Sequence, residues 1–240
     1  MNTIKEAWLT IDDCPSADFA AKLAYLSQEK IPALLFCEGW KLLERAELII
    51  EAIKKGFVIG NHSYDHPFFS ELSLAACRSS IQRTDAIIND LYGRAGINRP
   101  GRYFRFPYFD RGGRKNPEQQ RALQDYLAEL GYAQPDFPGI NLKHFQDSGD
   151  AGLRDVSCTF NQEEYWLGNP DAPDGLNEPK SILALIDKDE PEAGFALNCV
   201  STRDIILTHD HEFTTQLFFE IIQRYQKKGI QFLPIHARSV

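Results

Sequence analysis

The sequence has no apolar stretch of membrane-spanning length. Its most apolar run, residues 31–37, is strand-sized and contains a proline. It also lacks an excess of positive charge: 26 Lys and Arg stand against 34 Asp and Glu, a formal net charge of −8. Such a chain repels phosphate backbones, which argues against a nucleic-acid partner. The opening Met-Asn-Thr-Ile-Lys-Glu-Ala-Trp-Leu-Thr lacks the basic start and apolar core of a secretory signal. A cytoplasmic protein without a membrane partner is therefore expected. Cysteine is sparse. The five residues, Cys14, Cys37, Cys77, Cys158 and Cys199, are odd in number and scattered. That excludes a disulfide framework and a Cys-rich zinc site, and leaves reduced thiols. There is no repeat, no low-complexity tract and no evident linker, so a single domain over residues 1–240 is expected.

What is present is an alternation of strand-like and helix-like segments. Residues 7–11 read as a buried strand ending in Asp12 and Asp13, and Ser16 is placed to cap a helix reaching about residue 29. Further strands are expected at 31–37, 57–59, 102–106, 205–208 and 230–234. Helices are expected at 42–55, 73–92, 117–130 and 214–228, with Gly56 and Gly131 as stop signals and Pro117 in a first turn. Residues 169–180, rich in Pro, Gly, Asp and Asn, read as a surface loop. Strands that each precede a helix predict an α/β fold with a largely parallel sheet.

Polar residues recur just after the strands, where such folds build their sites. Asp12 and Asp13 follow the first strand, His62 and His66 the third; Arg105 and Tyr108 flank the end of the fourth, and His209, Asp210 and His211 follow the strand from Ile205. Two imidazoles four residues apart can share one face of a helical turn and ligate one metal, with a carboxylate from elsewhere completing three protein ligands. Asp12 and Asp13 offer two carboxylates, one to bind a metal and one to take a proton. Taken singly, His62 and His66 could be loop histidines, and the Asp pair a helix cap or solvated turn.

Together these motifs resemble the NodB-type polysaccharide deacetylases, carbohydrate esterase family four. Thr10-Ile11-Asp12-Asp13-Cys14-Pro15 stands for the family's Thr-Phe-Asp-Asp-Gly-Pro, and His62–His66 for its His-Ser/Thr-x-x-His. Arg105-Phe106-Pro107-Tyr108 and Leu207-Thr208-His209 match two later motifs. A fifth is altered: residues 158–165 keep the spacing, with Glu164 in place of an aspartate and Tyr165 or Trp166 in place of a tryptophan. Cys14 replaces a glycine and reads as a small packing residue.

The resemblance implies a distorted or incomplete (β/α) barrel. It implies Asp13, His62 and His66 as ligands of one divalent metal, zinc first, with cobalt, manganese, iron or nickel as alternatives. The metal would activate water and polarise an acetyl carbonyl. Asp12 would be the general base, Arg105 its charged partner, the Tyr108 backbone N–H an oxyanion donor and His209 the general acid, with Glu164 orienting His209. His211 has no counterpart in the family pattern and reads as a structural residue or one supporting a ligand; His144 and His236 are not read as ligands. The expected substrate is an acetylated sugar or a small amide. Trp40, Tyr64, Phe68, Phe69, Tyr103, Phe109 and Trp166 are candidates for a sugar platform. A metal-dependent carbohydrate deacetylase removing an N- or O-acetyl group is the leading expectation. An amidohydrolase acting on a non-sugar C–N bond and a non-catalytic binding protein on the same fold are the competing ones.

Overall fold

Strand β1 (Glu6–Cys14) lies at the centre of the sheet, and from Ala7 onward every residue is buried. That is the signature of a strand covered on both faces. The computed structural model describes residues 4–113, 116–188 and 197–237. Among these, β2 (Ala33–Cys37) and β3 (Val58–Asn61) extend the sheet on one side of β1. On the other side lie β5 (Asp204–His209) and then the two-residue β4 (Phe160–Asn161). All these pairings are parallel, and a short β6 (Gln231–Phe232) pairs with Glu6 and Ala7. Parallel strands bring their carboxyl ends to one rim, so residues 12–14, 37–38, 61–62 and 209–211 converge there.

Helices α1 (Phe19–Gln28), α2 (Gly39–Glu44), α3 (Ala46–Lys54) and α4 (Leu74–Ala95) follow the first three strands. Then come α5 (Pro117–Glu129), α6 (Lys143–Asp147), α7 (Pro179–Leu185) and α8 (Thr215–Lys227). The largest core cluster joins Leu9 and Ile11 of β1 to Leu23, Ile49, Ile53, Ile88, Phe218 and Ile222 on the surrounding helices. Helix α4 starts on Ser73, whose side chain accepts from the Ala76 N–H, and stops at Gly96 in the left-handed conformation (φ 69°).

Several expectations are corrected. Residues 102–106 do not form a regular strand. Arg102 and Phe104 make only isolated parallel bridges, to Tyr132 and Asn61. The backbone there divides its bonds among three partners: Asn61, Val156 and Ala133. This segment still matters, because Val156 donates to the Phe104 carbonyl while Thr159 donates to that of Ile205. Residues 156–161 thereby link the two sheet edges, and the sheet curls into an incompletely closed barrel. The helix expected over 42–55 begins at Gly39 and breaks at Arg45 (φ −124°, ψ 38°), which lets both Leu42 and the Ile49–Ile50–Ile53 face reach the core. Ser16 caps no helix. Its N–H and hydroxyl both bond the Asp210 carboxylate, at 2.6 and 2.7 Å. Helix α7 begins within the stretch expected to be a surface loop. The five cysteines are free thiols, and no helix among the described residues is long and apolar enough to cross a membrane.

Candidate active site

In a regular strand, consecutive side chains face opposite ways. Asp12 and Asp13 escape that rule because the β1–β2 register slips between Ile11 and Cys14 and Asp13 adopts φ 64°. Both carboxylates therefore reach the same imidazole: His62 Nε2 lies 3.6 Å from Asp12 Oδ2 and 3.4 Å from Asp13 Oδ1. His66 Nε2 is 3.1 Å from the same Asp13 oxygen. His62 and His66 do not share a helical turn, as their spacing suggested. They are joined by an irregular bend in which Ser63 (φ 68°) and His66 (φ 56°) are left-handed, which brings the ring centres to 4.9 Å.

The ligand atoms of Asp13, His62 and His66 all lie within 4.8 Å of one another. Asp13 Oδ1 is buried and satisfies no hydrogen bond. A buried carboxylate oxygen without a partner is costly, and here it faces two imidazole nitrogens. His62 Nδ1–H donates to the Arg105 carbonyl at 2.8 Å, so Nε2 carries the lone pair that faces Asp13. This donor set suits a divalent transition metal. Burial by itself would raise the Asp13 acid, but the hydrogen bond to His211 and the adjacent His62 and His66 imidazoles outweigh it and hold the carboxyl well below its ordinary range.

Arg105 has no exposed surface. Its guanidinium is fully engaged: Nη1 bonds Asp12 Oδ1 at 2.7 Å and Thr10 Oγ1 at 2.8 Å, Nε the Val156 carbonyl and Nη2 the Ser157 carbonyl, each at 3.0 Å. A buried charge needs such complete pairing. Across the cleft, Glu164 is equally buried. Its Oε1 takes the Thr208 hydroxyl at 2.7 Å, the His209 N–H, and His209 Nδ1 at 3.1 Å, while Gln162 holds Oε2. Burial would depress the His209 pKa, but the Glu164 carboxylate prevails and pushes it up to about 9. Tyr108 sits in a turn at φ 56°, its ring stacked 3.9 Å from Phe68 and edge-on to His66. Asp12, Asp13, His62, His66, Tyr108 and His209 line one cleft of about 550 Å³, which also touches Glu38, Lys41, Phe109, Asn161, Tyr165 and His211, with Arg105 and Glu164 buried behind it.

The family model for polysaccharide deacetylases matches residues 2–134, more than half of the 240-residue chain. The chain belongs to the polysaccharide deacetylase family. The peptidoglycan-N-acetylglucosamine deacetylase of Bacillus cereus is 34% identical over 91 residues, 38% of this chain and 33% of that protein. The matched stretch thus spans about a third of that relative's length. A family 4 carbohydrate esterase from Streptomyces lividans, solved with acetate, superposes with a TM-score of 0.60 at 21% identity, covering 95% of this chain and 91% of that one. A mutant of BA3943, described as a pseudoenzyme of the same family, gives a TM-score of 0.61 at 18% identity, covering 96% of this chain and 65% of that one. At such identities the likeness is one of fold, the deformed α/β barrel.

The family match ends at residue 134, before Glu164 and His209, so their pairing rests on the structure of this chain itself. The structure brings all eight expected site residues to one rim. Of the suggested platform, Phe69 and Tyr103 belong to the core, and Tyr64 lies under the Arg83 guanidinium. Phe68, Trp40 and Phe109 remain accessible at or near the rim, whereas His236 is exposed on the surface. The His144 side chain lies outside the described residues. Two groups escaped sequence reasoning. Glu38 and Lys41 pair at 2.7 Å on the cleft wall, and Lys41 also bonds the Asp13 carbonyl. His211 bonds Asp13 Oδ2 at 2.7 Å. Lys41 and Glu38 belong to no motif, whereas His211, at a strand end two residues beyond His209, reads from the sequence as structural or as supporting a ligand.

Proposed function

We propose that this chain is a metal-dependent hydrolase that removes an N- or O-acetyl group from a carbohydrate. The observation that carries the reading is the placement of Asp12 on Arg105 and His209 on Glu164 around one cleft that also holds the Asp13–His62–His66 cluster. A structural metal site needs neither pair.

Asp13, His62 and His66 would hold the ion, with zinc suited to two imidazoles and a carboxylate. When bound, it supplies Lewis acidity and activates water. Arg105 occupies Asp12 Oδ1, so Oδ2, on the His62 side, is the oxygen that takes the water's proton as the water oxygen bonds to the acetyl carbon. Arg105 also keeps that carboxylate oriented. The Tyr108 N–H donates to the developing oxyanion, an interaction that contributes about 3 kcal/mol in well-aligned cases. His209, with Nδ1 turned to Glu164, delivers its Nε2 proton to the leaving nitrogen or oxygen as the bond to the acetyl carbon breaks. Acetate and the deacetylated sugar depart. The stacked Phe68–Tyr108 pair offers a flat apolar face beside this polar centre, which supports a sugar ring as substrate.

The test is acetate release from N-acetylated chitooligosaccharides and O-acetylated xylan. Release that a chelator abolishes supports the reading. Metal-loaded protein that releases acetate from neither class contradicts it and favours a non-catalytic binding role.

A further inference from the structure

His211 is the one imidazole at the cleft without a place in the mechanism above. Its Nε2 lies 2.7 Å from Asp13 Oδ2, and it falls outside the cluster whose ligand atoms crowd together. It thus meets Asp13 through the oxygen opposite the one facing His62 and His66. We propose that His211 is a positioning residue: its Nε2–H donates to Asp13 Oδ2 and leaves Oδ1 alone to bind the ion. The proposal rests on the metal reading above.

Three observations carry it. First, the two Asp13 oxygens are unequal. Oδ2 is bonded by His211, while Oδ1 is buried without a hydrogen bond, 3.1 Å from His66 and 3.4 Å from His62. A carboxylate with one oxygen committed in this way offers the other as a single ligand of fixed direction. Second, His211 is itself firmly placed. Its carbonyl accepts from Lys22 Nζ at 2.8 Å, and the preceding Asp210 is buried, bonded by Ser16 and Lys22, with its N–H on the Asp12 carbonyl at 2.9 Å. Its ring is stacked between His209 (5.4 Å, 22°) and Phe213 (5.1 Å, 20°). Third, His211 Nδ1 is buried without a hydrogen-bond partner among the described residues, so among them the ring's one hydrogen bond is with Asp13. Such hydrogen bonds to ligating groups typically change metal affinity 10- to 100-fold.

The experiment is a zinc titration of chelator-stripped wild type, His211→Phe and His211→Gln, each also loaded with Co²⁺ for its visible spectrum. Glutamine can present an N–H where Nε2 stands; phenylalanine keeps the stacking but donates nothing. Phe should weaken zinc binding about 10- to 100-fold and alter the Co²⁺ spectrum, while Gln restores most of both. Unchanged affinity in His211→Phe overturns the proposal. So does a Gln variant as weak as Phe when both melt like wild type in chelator. If stripped wild type takes up no metal, the metal reading and the proposal fall together. If wild type binds zinc and His211→Phe binds it equally well, only the proposal falls.

Discussion

Arg105 Nη1 meets Asp12 Oδ1 at 2.7 Å with both side chains buried, and this pair fixes which Asp12 oxygen faces the cleft. Arg105 also orients His62 through its carbonyl. One residue therefore sets the direction of both the base and a ligand.

Replacing Asp12 by Asn keeps the shape and removes the proton acceptor. Zinc binding should persist, while the rate of acetate release falls by about 10²- to 10⁴-fold. Metal analysis alongside single-substrate kinetics checks both halves. Arg105→Met should instead destabilise the protein by about 3–5 kcal/mol, since it strands a buried carboxylate; urea unfolding would measure this.

The His209–Glu164 pair makes a pH prediction. With its pKa raised from 6.5 to about 9, His209 stays protonated across neutral pH, and activity should fall as pH rises through about 9. The stability sign agrees. A raised folded-state pKa gives stabilisation that is complete below 6.5 and is lost as pH climbs through about 9. Glu164 titrates below its ordinary value; burial opposes this, but His209 and its hydrogen bonds prevail, so its contribution is lost on the acid side as pH falls through the lowered value. Glu164→Gln should move the alkaline limb of the kcat/KM profile toward neutral pH. A limb that stays in place would separate it from His209.

Metal should stabilise as well as activate. A ligand at a hundred times its Kd adds about 2.7 kcal/mol to the folded state. Zinc should raise the Tm of stripped wild type and leave that of His62→Ala unchanged. The gain should shrink in acid, where protons compete for the same imidazole and carboxylate lone pairs.

Gly39 is a packing prediction with a functional consequence. A Cβ there would stand 2.4 Å from Thr84 Oγ1 and 2.6 Å from Tyr64 Cδ2. Gly39→Ala should cost about 1–3 kcal/mol through overpacking. Because Tyr64 lies between His62 and His66 in the bend, it should also weaken zinc binding. Thermal melts with and without metal separate the two effects.

The parallel sheet was legible because β1, β2 and β5 are runs of buried apolar residues that end in polar ones. The Asp12–Asp13 and His62–His66 motifs were legible by residue type at those ends. What escaped depends on contacts distant in sequence. Ser16 leaves its helix because Asp210 binds it, and residues 102–106 lose their regularity because no single neighbour runs beside them. Nothing near Arg45 announces the break between α2 and α3. His211 was legible as a histidine at a strand end, but its reach to Asp13 of β1 is set by the fold. Four-residue spacing alone cannot distinguish a helical turn from the bend that joins His62 and His66.

The most direct test compares wild type and Asp12→Asn, each loaded with zinc to the same measured content, for acetate release from an N-acetylated chitooligosaccharide. Equal zinc in both with release by wild type alone is the expected result. Equal release by the two proteins, or none from zinc-loaded wild type, would contradict the assignment of this cleft as a deacetylase site.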